Sequence, residues 1–204
     1  MLSPLIRSGL PNPGRSSTQT AKLEFHEDEN GKKVSIVELI DPSCKLDALE
    51  EVIDELAGES IVVASASRKL AVLAVERLKR KDISVGMIAG GMDIYARKAV
   101  EHEYQHGKIQ VVVCVIDAAG EGLTLTRGRT LVYINKHWSS LKNLQMDDRV
   151  HRIGSEVHDR VQIIDIITHN TIEQRQREVL GTKAERLEEI VRDREMLLKL
   201  LDIA

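Results

Sequence analysis

Apolar positions along this chain follow two rhythms that take turns. In "CKLDALEEVIDELAG" the residues Leu46, Leu49, Val52, Ile53 and Leu56 recur three and four apart, which predicts an amphipathic helix ending near Gly58. Short unbroken apolar runs come next: "IVVAS" at 61–65, "ISVGMIA" at 83–89, "IQVVVCVI" at 109–116, "TLVYI" at 130–134 and "RVQIIDII" at 160–167. Helical stretches separate them, from about Ser67 to Lys81, from Asp93 to His106 and from about Ser140 to Arg152. Continuous Val and Ile runs suit strands covered on both faces, so strand-then-helix alternation predicts a doubly wound α/β fold with a parallel sheet and right-handed crossovers.

The ends read differently. Residues 1–22 contain Pro4, Pro11 and Pro13 among Ser, Thr and Gly, and read as a linker or disordered end. Residues 23–40 alternate around Asn30-Gly31, the dipeptide of a tight hairpin turn, and predict a small β-hairpin. The α/β domain is expected over 41–170. Residues 171–204 read as a helical extension with a break at Gly181 and an apolar stripe of Leu187, Ile190, Val191, Leu197, Leu198 and Leu201. Such a stripe packs on the sheet or on a partner; its periodicity is too brief to require a coiled coil.

Composition narrows the class. The chain has 204 residues, 42% hydrophobic, enough for one domain with a real core. Its formal net charge is -3, so any surface for a polyanion has to be local. No apolar run approaches the roughly 20 residues that span a bilayer, and the amino terminus lacks a secretory pattern, so a cytoplasmic or nuclear setting without a membrane is expected. Cys44 and Cys114 are far apart with no Cys/His cluster around them, which argues against a metal site, and Cys114 inside "VVVCVI" reads as a small buried hydrophobe.

In a doubly wound sheet, ligands collect beyond the carboxyl ends of the strands. The segments there are "SASR", "AGGMD", "DAAGEGLTL" and "NKHWSS". Their small residues let a backbone approach a phosphate closely, although Gly90 with Gly91, or Gly120 with Gly122, taken alone also suit ordinary tight turns. More specific is "QMDDRVHRIG". If it is helical, Gln145, Arg149 and Arg152 share a face at i, i+4 and i+7, and two planar, permanently charged guanidiniums can grip one polyanion.

With those blocks in view, "DAAGEGLTLTRGRTLVYINKHWSSLKNLQMDDRVHRIG" followed by "VQIIDIITHNTIEQ" resembles the second RecA-like domain of superfamily 2 helicases, in the SWI/SNF-like branch. That branch carries an "AGGxGxNLT" loop, a strand, a Trp segment, a "QxxDRxHRxGQ" helix and an "NTIEE" ending in this order. The resemblance runs from about Lys45 to Leu180. It implies a RecA-like fold of the P-loop NTPase type acting as the second lobe of an ATP-dependent DNA helicase or translocase.

Position by position, the resemblance makes Arg152 the arginine finger, Arg149 its companion and Gln145 the glutamine near the γ-phosphate. It places Gly120, Gly122 and Thr124 beside the nucleotide, with Thr124 where the family commonly has Asn. Ser65, Gly90, Gly91, Asp117 and Ala118 fall on loops that line a nucleic-acid track, and Trp138 matches a tryptophan that touches DNA, a buried core tryptophan being the alternative.

The chain departs from the pattern at Ala66, where the family has Gln, at Ile116, where a Thr contacts phosphate, and at Ser155, which replaces the closing Gln. A larger departure is that no GxxxxGK[ST] and no DExH-type box occurs; "PNPGRSS" has Arg15 where Lys is needed. ATP with Mg²⁺ is therefore expected to be held mainly by an N-terminal RecA-like lobe supplied in cis or in trans, with this chain inactive alone. The alternative is a non-catalytic nucleic-acid-binding module derived from such a lobe. The lack of long insertions and of basic import-like runs favours a prokaryotic or viral source, a nuclear setting being expected for a eukaryotic one.

Overall fold

The computed structural model describes residues 43–118, 122–151 and 160–183, together with the backbone of residues 5–9, 21–27 and 33–39. In chain order the strands are β1 (Leu5–Gly9), β2 (Ala21–Glu27), β3 (Lys33–Leu39), β4 (Ile61–Ser65), β5 (Val85–Ile88), β6 (Val111–Val115), β7 (Thr130–Asn135) and β8 (Gln162–Thr168). The helices are α1 (Cys44–Glu55), α2 (Arg68–Arg80), α3 (Ile94–Gln105) and α4 (Ser140–Val150), with one 3₁₀ turn at Ile116–Ala118. Six strands form one sheet in the order β1-β8-β7-β4-β6-β5, and every neighbouring pair is parallel. This is the doubly wound parallel sheet flanked by helices that the alternation predicts.

β4 and β6 are buried at every position, which is why their sequences show no polar alternation. Side chains then divide by parity between two cores. Leu46, Leu49, Val52 and Ile53 of α1 and Leu70, Ala71, Ala74 and Leu78 of α2 cover one face, over Ile61, Val63, Val111, Val113, Val132 and Ile134. Tyr104 of α3, Met146 and Val150 of α4, and Leu123 and Leu125 from the segment after β6 cover the other, over Val62, Ala64, Val112, Leu131 and Tyr133. Burying each such aliphatic side chain contributes about 1.5–3 kcal/mol, so the two layers dominate the favourable side of folding.

Local signals set the helix starts. The Ser67 hydroxyl accepts from Leu70 N–H at 3.3 Å to cap α2, and the Asp93 carboxylate accepts from Tyr95 N–H at 2.9 Å to cap α3. Basic residues Arg77, Lys79 and Arg80 occupy the last turn of α2, where the helix dipole favours them.

Three expectations change. The stretch read as a linker or disordered end contains β1, which pairs in parallel with β8, Leu5 opposite Ile164. Helix α4 stops at Val150 rather than reaching Arg152. Gly181 interrupts nothing: residues 172–183 are helical throughout. Strands β2 and β3 pair antiparallel, Ala21 opposite Leu39, as a hairpin requires, while Asn30-Gly31 and the apolar stripe beyond 183 lie outside the described residues.

Candidate functional site

β4 leads into α2 on one face, whereas its neighbours β6 and β7 lead into the segments that cover the other. Connections that part in this way open a crevice at the carboxyl ends of the strands. The bottom of that crevice is bonded across β4 and β7. Ser65 is fully buried, its hydroxyl 2.7 Å from Asn135 Oδ1 and 2.9 Å from the Ser67 carbonyl. Ala66 N–H donates to the same Asn135 oxygen at 3.1 Å, and the strand register shifts between Ala64 and Ser65 to admit this. The Ser65 side chain therefore shapes the loop and faces inward.

The segment after β6 is clamped between α3 and α4. Thr124 N–H donates to Glu101 Oε1 at 2.6 Å, and Gln105 Nε2 donates to the Thr124 carbonyl at 2.9 Å. Leu125 N–H donates to the Arg149 carbonyl at 2.9 Å, while the Leu123 and Leu125 side chains are buried in the core below. The bond uses one of the carbonyls left free in the last turn of α4, and the next residue but one, His151, turns out of the helix at ψ 80°. Gly122 adopts φ +63°, a left-handed conformation that favours glycine, and faces open space.

Gln145 is exposed and Arg149, four residues on, is half-buried in the last turn of α4. The third member of the expected set does not sit on α4, because the helix has already ended; Arg152 itself, like Gly120, lies outside the described residues. The structure thus ties Leu125, next to Thr124, to the last turn of α4 at Arg149 through one backbone bond. Glu101 and Gln105, which fasten the loop, are the residues the sequence reading missed. Their signal was available: two polar side chains four apart on α3 form one stripe.

Beneath α4 the polar groups are tightly used. The Tyr133 hydroxyl lies 2.7 Å from Asp147 Oδ1, and Lys136 Nζ pairs with Asp165 at 2.8 Å while sitting 4.8 Å over the Tyr133 ring. Burial pushes the Asp147 carboxyl up to about 6, against the Tyr133 hydrogen bond and the Lys136 charge. On the α1 face, buried Lys45 donates to the Ile134 carbonyl at 2.5 Å and pairs with Glu173, and burial lowers its pKa despite that partner.

Along the outer edge, Gly90 and Gly91 follow β5, Gly91 at φ +77° and exposed, and Arg68 Nη1 donates to the Gly90 carbonyl at 3.1 Å, joining the loops after β4 and β5. Ala118 is buried in the core. Asp117 is exposed and pairs with Lys142 at 2.5 Å, which holds its carboxyl below the usual range. Trp138 is 49% exposed, so the buried-core alternative is excluded. Cys114 is fully buried, its thiol pushed up to about 12 by burial, as its apolar run predicts. Among the described residues no helix is long and apolar enough to cross a membrane.

Comparison with known proteins agrees with this geometry. Residues 44–154 match the helicase conserved C-terminal domain. The chain is 32% identical over 141 residues to the DNA repair protein rad5 of Neurospora crassa, covering 66% of this chain and 11% of that one. It is 25% identical over 174 residues to the chromatin-remodeling ATPase INO80 of Candida albicans, covering 84% of this chain and 12% of that one. It thus spans a small part of both relatives. Among solved structures, the C-terminal part of the Fun30 ATPase domain superposes with a TM-score of 0.62 at 21% identity, over 68% of this chain and 46% of that one, a likeness of fold.

Proposed function

Because the chain belongs to the helicase conserved C-terminal domain family, as a second RecA-like domain of the SWI/SNF-like branch, we propose that it is the carboxyl lobe of an ATP-dependent DNA translocase or helicase. In this reading Arg152 and Arg149 reach across a cleft to the γ-phosphate of ATP, with Gln145 beside them and Gly120, Gly122 and Thr124 along the nucleotide. Arginine supplied from a second element stabilises charge on a transferring phosphoryl group, an effect worth roughly 10³ to 10⁵ in rate among nucleotidases.

The observation that carries the reading is the bond from Leu125 N–H to the Arg149 carbonyl. It ties the segment that follows Gly122 to the last turn of α4, so Thr124 and Arg149 would meet a nucleotide from neighbouring elements. Open space at Gly122 fits a ligand approaching the backbone there. The chain offers donors and cations to phosphate, while the phosphate cradle and the Mg²⁺ ligands would come from the N-terminal RecA-like lobe, in cis or in trans. ATP with Mg²⁺ would supply the hydrolytic energy once bound between the lobes; alone, this chain would not hydrolyse it.

Nucleic acid would lie along the outer edge. Gly90 and Gly91 offer backbone after β5, Ser65 and Ala118 shape their loops from within, and Trp138 presents its ring. Alternate closing and opening of two lobes would then step the protein along DNA.

The test is DNA-stimulated ATP turnover by the longest natural reading frame containing this segment, alongside Arg149→Ala and Arg152→Ala. Turnover falling by a factor of about 10³ or more with ATP binding retained is expected. Unchanged turnover would overturn the roles given to the two arginines. No turnover in any natural frame would favour a non-catalytic nucleic-acid-binding module.

A further inference from the structure

Two basic side chains lie near one carboxylate oxygen at the rim of the crevice. Lys142 Nζ on α4 lies 2.5 Å from Asp117 Oδ1, and His137 Nε2 lies 3.8 Å from the same atom. The other ring nitrogen of His137 is engaged: Nδ1 accepts from Ser139 N–H at 2.9 Å, so a neutral ring carries its proton on Nε2, 3.8 Å from Asp117 Oδ1 and beyond direct hydrogen-bond distance.

The loop holding this ring is fixed from below. His137 N–H donates to Asn143 Oδ1 at 2.9 Å, and Asn143 Nδ2 donates back to the His137 carbonyl at 2.8 Å, with Asn143 buried. A lysine ammonium bonded to an anionic oxygen, with an imidazole nitrogen nearby on a braced loop, makes a place an anion can occupy. Here the anion is the chain's own carboxylate.

The pair is open to solvent. The Asp117 side chain is 54% exposed and the Lys142 side chain 44%, so a larger anion can reach the same donors. Trp138, next in sequence to His137, exposes its ring at this rim. A carboxylate oxygen and a phosphodiester oxygen present the same acceptor to Lys142 and His137, and a nucleic-acid backbone brings both a phosphate and a face for an aromatic ring.

Resting on the nucleic-acid reading above, we propose that Lys142 and His137 form a binding site for one backbone phosphate and that Asp117 occupies it in the free chain as a built-in competitor. Nucleic acid must displace the carboxylate to engage. Asp117 therefore weakens binding at a position where the family resemblance implies a contact. It also removes one counterion-releasing step, because Lys142 is already neutralised when the polymer arrives.

The experiment measures affinity of the full chain for a fluorescein-labelled duplex DNA by anisotropy across a salt series. Asp117→Asn keeps the shape and removes the charge; it is expected to tighten binding about three- to fivefold, the range of an exposed ion pair. The slope of log affinity against log salt should steepen by about 0.9, one phosphate's worth. Lys142→Gln should weaken binding, and the double variant should match Lys142→Gln alone.

Asp54→Asn controls for net charge, since Asp54 pairs with Lys81 at 2.7 Å on a distant surface in the same kind of exposed bridge. Equal tightening by Asp54→Asn, or tightening by Asp117→Asn that survives loss of Lys142, would overturn the proposal, as would DNA binding that Asp117→Asn leaves unchanged. A gain seen with inorganic phosphate at matched ionic strength and not with DNA would assign the site to a free anion and also overturn it. If neither the native chain nor Asp117→Asn binds DNA at any salt, the nucleic-acid reading itself fails. Far-UV circular dichroism of each variant establishes that it is folded.

Discussion

Asp147 sits on α4 between Gln145 and Arg149, and its replacement by Asn should stabilise the protein at neutral pH. Burial raises this carboxyl from its ordinary 3.8 to about 6, while Tyr133 donates to its Oδ1 at 2.7 Å. The unfolded chain exposes the group, which then titrates near its ordinary value. A folded-state value above the unfolded one means the folded protein holds the proton more tightly. The stabilising contribution is therefore complete below pH 3.8 and is lost as pH rises through about 6.

Holding a proton about a hundredfold more tightly when folded is worth about 3 kcal/mol, since each tenfold corresponds to about 1.4 kcal/mol, and this is the upper end of what is lost by about pH 7.5. Asn stays neutral throughout, and its carbonyl still accepts from Tyr133. Urea unfolding of the native chain and Asp147→Asn at about pH 3.0, 5.0 and 7.5 should give nearly equal midpoints at the lowest pH and a gap of about 2–3 kcal/mol at the highest, with an unchanged m-value. A variant less stable at the highest pH, or a gap that does not widen with pH, would refute the reasoning.

Further outcomes follow from the packing and from the rim. The Tyr104 hydroxyl is buried with no hydrogen-bond partner among the described residues, so Tyr104→Phe should gain about 1 kcal/mol where a bonded tyrosine would lose as much. Gly128→Ala would set a methyl 2.6 Å from that hydroxyl and 2.8 Å from Val62 Cγ2, lowering stability by about 1–3 kcal/mol, and part of that loss should return in the Tyr104→Phe background; denaturant midpoints read both. Trp138 is the single tryptophan and is half exposed, so acrylamide should quench it freely in the native chain and much less at saturating DNA. An unchanged quenching constant would remove Trp138 from the interface.

The sheet was legible because its strands advertise burial. "IVVAS" and "VVVCV" are apolar but for one closing Ser, and the Gly and Ser punctuation between strands and helices marks the turns. β1 was not legible: "LIRSG" is five residues among prolines and becomes a strand only through a partner far along the chain. The end of α4 was misjudged for a similar reason. Nothing in "DDRVHRIG" before its glycine stops a helix, and the carbonyl of Arg149 in its last turn is met by Leu125 N–H, a contact between distant segments that spacing does not show. Likewise Ser65 closes a strand and Ala118 follows one, as the sequence suggests, yet which atoms they show was decided by Asn135 and by the core below. Residue spacing locates a site, whereas the direction of a side chain depends on neighbours that spacing does not name.

Leu5 opposite Ile164 also has a consequence for biosynthesis. On the ribosome the first edge strand of the sheet is made long before the strand it needs, and at about 5–20 residues per second it waits about 10–30 s. Throughout that interval its backbone groups stay unmatched, exposed to any other strand edge within reach. Completion of the sheet is therefore a late event in the making of the chain, and this segment is where chaperone contact would matter most during synthesis.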